Sequence, residues 1–368
     1  MGQDSKNKKE ENLERLNSRM TLPLISAPMF LISDANLVLS ACREGIVGSI
    51  PALNYRTSEQ FGLWLGKMNR TLLTWRSDEP ERKIADYAVN LVVNKNMNAR
   101  LEDDLSLCEK HKVPIIITSL GAVPEVVERV HAYGGLVFHD VTNVVHAKKA
   151  AKAGVDGIIA VAAGAGGKSG TLSPFPLMRD IRNVFNGIVI LAGALTEGND
   201  ILAAQTLGAD FSYMGTRFIA TQEASADPDY KQMILSSEPN DIIYTTVVTG
   251  VVGNYLKNSM QKAGFTVSEK HDGSAPAQAA LKTFDKLLES VAKQTEKVGI
   301  FIPGHGNTRH WRKDVWSAGH GVGNIHDVPT VEALIGRLTH EYKAAQKRQL
   351  EAITAGPFPL LPQPPNPS

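Results

Sequence analysis

The sequence predicts an α/β protein built on a (β/α)8 barrel, and three observations carry that expectation. Eight short apolar runs rich in Val and Ile recur between Leu24 and Gly215. Most are four to eight residues long and apolar throughout, the pattern of parallel strands covered on both faces. The intervening segments are longer and mixed in polarity, and two of the helical ones stop at a glycine just before the next run. Eight strands joined by crossovers within roughly 200 residues fit a closed barrel. Periodicity alone does not show closure, so a doubly wound open sheet is the alternative.

In chain order the runs are Leu24–Met29, Ile46–Ile50, Ala88–Val93, Val113–Leu120, Leu136–Val141, Gly157–Ala163, Ile188–Leu195 and Phe211–Gly215. The clearest helical patterns between them are Pro124–Ala132, Val145–Ala153 and Ile201–Leu207, the last two stopped by Gly154 and Gly208. Two segments break the rhythm. Tyr55–Lys83, between the second and third runs, carries Trp and Arg, and Thr221–Trp316 is mostly helical in pattern, clearest over Pro276–Ala292, with no convincing strand pair. Insertions of this length usually form lids or helical subdomains over an active site. Pro329–Arg348 has helical spacing and would close the barrel from outside. The expected organisation is a polar extension (1–20), a barrel core (21–220), a helical cap or insertion (221–316), a closing segment (317–350) and a Pro-rich tail (351–368). A dimerisation surface, and hence a homodimer, is the alternative role for the insertion.

Composition narrows the function. Lys and Arg number 39 against 38 Asp and Glu, so the formal charge is +1 and no global positive field exists to hold a nucleic acid. Two cysteines, Cys42 and Cys108, are too few for a disulfide framework or a four-cysteine zinc site. Both fall on expected helices, where inert packing is the natural role. No stretch approaches the ~20 apolar residues that span a bilayer. The first residues are polar without an apolar core, and Lys6 stands where myristoylation wants Ser or Thr. The proline-dense end, Gly356–Ser368, suits an extended tail. A reduced, cytoplasmic protein is the simplest expectation.

In a barrel the reactive groups belong at the C-terminal ends of the strands. Those ends are Ala27-Pro28-Met29, Asn90, Ser119, His139-Asp140, the loop Ala163–Gly170, Gly193-Ala194 and Gly215-Thr216. Glycines after the seventh and eighth runs sit where backbone N–H groups often hold a phosphate, and Thr216 adds a hydroxyl. At Gly215 a side chain would either occupy the phosphate's place or need a backbone conformation that glycine alone tolerates. Gly167-Lys168-Ser169 mimics the end of a P-loop, but Ala162 stands where its first glycine belongs, so the loop suits an anion without nucleotide hydrolysis. His305, His310 and His320 have no metal-ligand spacing, although His320 could approach a bound cofactor. His139 reads equally as a core histidine or a site residue. A GxSxG elbow and a Rossmann GxGxxG after the first strand are both missing.

Several motifs together resemble the nitronate monooxygenase (2-nitropropane dioxygenase) family, FMN-dependent barrels related to the FMN-dependent enoyl-acyl-carrier-protein reductases. They are APM at Ala27–Met29, VNL at Val89–Leu91, VFHDVTNVVHAKKA at Val137–Ala150, GAGGKSGTLSP at Gly164–Pro174, LAGAL at Leu191–Leu195 and GADFSYMGTRFIAT at Gly208–Thr221. The resemblance implies FMN as cofactor. Ala27, Pro28 and Met29 would lie against the flavin ring, Asn90 near the ring or ribityl chain, and Gly166 and Gly167 beside the isoalloxazine. Gly193, Ala194, Gly215 and Thr216 would grip the phosphate, and Ala192 and His320 are further candidate cofactor-binding residues. Two positions depart from the family: Asp140 stands where many members have lysine at the pyrimidine edge, and Lys168 where many have the catalytic histidine.

The implied reaction is oxidation of an alkyl nitronate by O2 to a carbonyl compound and nitrite, with Lys168 and His139 as candidate catalytic residues. An NAD(P)H-dependent reductase of a quinone or enoyl thioester, or an FMN-binding protein without turnover, are the alternatives. The expected partners are a small-molecule substrate with O2 or NAD(P)H, and neither nucleic acid nor membrane.

Overall fold

The computed structural model describes residues 3–95, 97–248, 252–265 and 315–354. Eight parallel strands carry the architecture: β1 (Leu24–Ser26), β2 (Gly48–Pro51), β3 (Tyr87–Val92), β4 (Ile115–Ser119), β5 (Leu136–Val141), β6 (Gly157–Val161), β8 (Ile188–Ala192) and β9 (Phe211–Met214). Each lies on one of the eight expected runs. Their order around the sheet is β1-β9-β8-β6-β5-β4-β3-β2. A parallel bridge between Ile25 and Val47 joins the first strand to the second and closes the ring. The open-sheet alternative is thereby excluded.

Continuous apolar runs form these strands because both faces are buried. Ile25, Ala88, Ile115, Ile117, Phe138, Ile159, Ile190 and Phe211 fill the barrel interior. The alternate residues Val89, Leu91, Ile116, Val137, Ile158, Val189 and Leu191 face the helix layer. Helices follow the spacing of the sequence: α5 (Pro124–Ala132), α6 (Val144–Lys152) and α8 (Gly198–Thr206). Gly154 and Gly208 end the last two at φ of 84° and 96°, a left-handed turn that glycine takes without penalty.

Three features differ from the sequence expectation. Tyr55–Lys83 is no lid. It holds α3 (Ser58–Asp78), an ordinary β2-to-β3 crossover that buries Phe61, Trp64, Leu65, Met68 and Leu72 along one stripe against the outside of the barrel. The stretch after Thr221 does contain a strand pair. β10 (Ile242–Thr245) and β11 (Gly253–Leu256) run antiparallel, and β11 also pairs with β7 (Gly167–Lys168) in the loop after β6. The expected helix Pro276–Ala292, His305, His310 and the tail from 355 lie outside the described residues. The C-terminal helix, Val331–Thr354, packs Val331, Leu334, Ile335 and Leu338 against Leu37, Ala41, Ile201 and Phe218.

The third difference is at the N-terminus, where the polar extension forms α1 (Gln3–Asn17) across the bottom of the barrel. Leu16 and Met20 plug the interior cluster from below. Lys8 and Lys9 reach Asp156 and Asp210, each at 2.9 Å, at the entrances to β6 and β9. Asp156 also accepts from the Val137 N–H at 2.9 Å and pairs with His131 at 2.7 Å. Burial pushes its carboxyl up, but His131, the Val137 N–H and Lys8 together hold it below the ordinary value. A depressed carboxyl stabilises the fold above its unfolded pKa of about 3.9 and loses that contribution as pH falls through the lower folded value. Asp156→Ala is expected to cost roughly 1.5–3 kcal/mol at neutral pH. In urea titrations, the gap between variant and wild type should shrink as pH drops below about 4.

Candidate active site

A cavity of about 1250 Å³ opens at the C-terminal ends of the barrel strands. That exceeds the ~300–1,000 Å³ of a site for one drug-sized ligand, so there is room for a cofactor and a small substrate together. Residues at the C-terminal ends of all eight strands, or in the loops after them, contribute to its wall. Ser225–Asp227, Tyr230 and Val315–Ser317 cover the outer side, with Tyr230 and Trp316 stacked at 4.9 Å between ring centroids.

Ala27, Pro28, Met29, Asn90, Asp140, Gly166, Gly167, Lys168, Ala192, Gly193, Ala194, Gly215 and Thr216 all line this cavity. His139 does not. Strand alternation turns Leu136, Phe138 and Asp140 inward, so His139 points to the helix layer, where its Nδ1 meets Thr118 Oγ1 at 2.8 Å. Burial lowers its pKa against the pull of Asp140, as expected of a packed neutral imidazole. His139 therefore stands outside the cavity and is not placed to act as a catalytic residue. His320 does not line the cavity either: its side chain is exposed, and its backbone N–H donates to Gly164 O at 2.9 Å.

Backbone geometry marks the same place. Leu31, Leu120 and Ala194 adopt positive φ of 63°, 63° and 56°, and all three line the cavity. Strain of this kind persists where the surroundings over-determine the conformation, which is frequent at ligand sites. The glycines of the loop after β6 serve partly another purpose than an anion cradle. A Cβ on Gly166 would lie 2.9 Å from Gly319 N, and one on Gly319 would lie 2.4 Å from Gly164 O. The 164–166 loop and the 318–321 segment thus press backbone to backbone, and Gly319 N–H donates to Thr216 Oγ1 at 3.0 Å. Gly215 has φ of −107°, which any residue adopts, so only the space beside it matters. The conformational half of the expectation for Gly215 falls away.

One polar row runs along the adjacent strands β3, β4 and β5. Asn90 Nδ2 donates to Ile117 O at 3.1 Å and to Ser119 Oγ at 2.8 Å, and Ser119 Oγ donates to Asp140 Oδ2 at 2.8 Å. Burial raises the Asp140 carboxyl above the usual range, opposed by His139, Ser119 and Lys168. Lys168 is the one cationic side chain lining the cavity among the described residues. Burial lowers its pKa, and Asp140 counters that shift. Its strand β7 is fixed by β11, whose buried Asn254 donates Nδ2 to Ala165 O at 2.7 Å. The site reading from sequence missed Asn254, Tyr213, Tyr230 and Trp316. Tyr213 was accessible, since it shares the inward parity of Phe211. Asn254 gave no signal beyond a polar residue in a four-residue strand.

A sequence model of the nitronate monooxygenase family matches residues 15–341. The chain is 25% identical over 364 residues to a nitronate monooxygenase of Paraburkholderia phytofirmans, covering 87% of this chain and 92% of that one. Among solved structures, FabK from Thermotoga maritima superposes with a TM-score of 0.70 at 20% identity, covering 93% of this chain and 98% of that one. Nitroalkane oxidase from Streptomyces ansochromogenes gives a TM-score of 0.66 at 21% identity, over 91% and 99% of the two chains. At these identities the two structures speak to the barrel fold alone. No helix among the described residues is long and apolar enough to cross a membrane.

Proposed function

The chain belongs to the nitronate monooxygenase family, and on that premise we propose that it oxidises alkyl nitronates with O2, using FMN held across the barrel mouth. The observation that carries the reading is the pairing of a glycine-lined end at β8 and β9 with Lys168, the single cationic side chain among the described residues of one cavity. The residues present fit FMN. Gly193, at φ of 135°, turns the chain sharply after β8, and a Cβ there would lie 3.0 Å from Ala163 O. Thr216 Oγ1 accepts from Gly319, which leaves its proton for a phosphate oxygen. Gly193, Ala194, Gly215 and Thr216 would hold the phosphate, and Ala27–Met29 would support the ring.

When bound, FMN would supply the electron-accepting chemistry and the route to O2. The chain's own groups prepare the encounter. Lys168 attracts the nitronate, which arrives already ionised, so no base is needed to form it. A lysine of ordinary pKa near 10.4 is a poor base at neutral pH in any case. Tyr230, Trp316 and the apolar loop after β1 exclude water from the reacting face. Two nitronate anions and one O2 balance two carbonyl molecules and two nitrite ions. Purified protein given an alkyl nitronate in air should release nitrite and carbonyl compound in equal amounts, with half as much O2 consumed. Turnover with NAD(P)H and a quinone, and none with nitronates, would replace this reading by the reductase alternative.

A further inference from the structure

Ring order fixes what stands across the mouth from Lys168. In the closed barrel β6 is four steps from β2, and β1 is the next strand beyond β2. The loop carrying Lys168 therefore faces the C-terminal ends of β2 and β1. Those ends are apolar: Phe30 and Leu31 follow β1, Leu53 follows β2, and all three line the cavity. Phe30 and Leu31 are 47% and 49% exposed. A single exposed apolar residue needs no explanation, but two side by side at the rim of a cavity form a contact surface.

This lip is clamped from two sides. Asn54, at the end of the short turn Ala52–Asn54, accepts from the Leu31 N–H at 3.0 Å. Its Nδ2 donates to Met29 O at 3.2 Å and to Ser33 O at 2.7 Å. From the segment after β9, the Ser225 N–H donates to Ile32 O at 3.1 Å. The clamp keeps Leu31 at φ of 63°, a left-handed conformation that a bulky residue rarely takes. A strained backbone that holds apolar side chains at a cavity mouth is a feature of ligand sites.

We infer that the lip of Phe30, Leu31 and Leu53 binds the carbon chain of the substrate, with Asn54 as its positioning residue, so that medium-chain alkyl nitronates are selected over short ones. The inference rests on the nitronate reading above. Charge sets the orientation. Among the described residues lining the cavity, Lys168 is the single cation, and Asp140 and Asp227 are the carboxylates. An anionic head settles at Lys168, and its chain extends toward the ends of β1 and β2, where the lining carries no charge. The row Asn90–Ser119–Asp140 is polar and offers a hydrocarbon nothing. Each methylene that reaches the lip leaves water, which is worth roughly two- to fourfold in affinity for a half to fully buried contact. An ethyl chain ends near Lys168 and gains nothing.

Two chain-length series on the holoprotein test this. Propionate, hexanoate and octanoate carry a planar two-oxygen anion like that of a nitronate but do not react, and calorimetry gives their affinities. Wild type should bind the longer acids more tightly, by roughly two- to fourfold per methylene that reaches the lip. Ethyl, butyl, hexyl and octyl nitronate should show the same rise in kcat/KM, carried by KM. In Phe30→Ser/Leu31→Asn both series should flatten; asparagine tolerates the left-handed backbone, so the loop keeps its shape. Asn54→Ala leaves the lip in place but unclamped, and should lower the octyl-to-ethyl ratio by a smaller factor. The ratio within each variant is the readout, because a general loss of activity or stability leaves it unchanged. Equal affinity for propionate and octanoate in wild type, or an octyl-to-ethyl ratio that both variants preserve, overturns the inference. A rising carboxylate series without turnover of any nitronate would support the lip as a chain site and overturn the nitronate reading.

Discussion

Replacing Gly215 by leucine is expected to give a folded protein that purifies without flavin. The backbone there is ordinary, at φ of −107° and ψ of −68°, so a side chain brings no conformational strain. A Cβ would sit 3.6 Å from Ala27 Cβ and 3.8 Å from Met29 Sδ, which is normal contact. The remaining three carbons of leucine have only the cavity to enter, where the phosphate is expected. Overpacking of this kind costs about 1–3 kcal/mol, or roughly five- to 150-fold in FMN affinity. Gly215→Ala should keep most of the affinity. Fluorescence titration of the apoproteins with FMN checks both, with circular dichroism reporting the fold. Equal retention by Gly215→Leu and wild type would move the phosphate elsewhere.

The second large effect is at Lys168. A unit charge about 4 Å from an anion is worth ~4 kcal/mol at an effective dielectric near 20, and an open mouth reduces this to about 2 kcal/mol. Lys168→Met should therefore lower kcat/KM for a nitronate by roughly thirtyfold, mostly through KM. Lys168→Arg should recover part of it, since the charge remains. Because burial lowers the Lys168 pKa, the cation is lost as pH rises through a value below the ordinary 10.4 or so. Wild-type kcat/KM should accordingly fall on the alkaline side before a free lysine would titrate, and the fall should vanish in Lys168→Met. Steady-state kinetics with preformed nitronate across that range decide the matter.

The barrel was legible because its physics is local. A strand buried on both faces must be apolar throughout, as in Ile188–Ala192, and a helix that turns directly into a strand needs a glycine such as Gly208 at φ of 96°. The three-stranded sheet was not legible, because strands of two and four residues carry no period and β7 acquires its partner only in the folded chain. The lid expected at Tyr55–Lys83 failed for a related reason: length suggested an insertion, while the stripe from Phe61 to Leu72 marks a packed crossover helix. At the site, strand ends pointed to the right loops, but not to the direction of each side chain. His139 and Asp140 are neighbours in sequence, and only the inward parity of Phe138 shows that the carboxylate alone enters the cavity. The polar N-terminus carried its information in Lys8 and Lys9, whose partners Asp156 and Asp210 are far away in sequence.

Anaerobic mixing of the purified protein with an alkyl nitronate tests the central claim most directly. The protein should arrive yellow, its heat-released cofactor should be FMN, and the nitronate should bleach the flavin absorbance within the time of turnover. An FMN-loaded protein that ignores nitronates and is bleached by NAD(P)H would contradict the account.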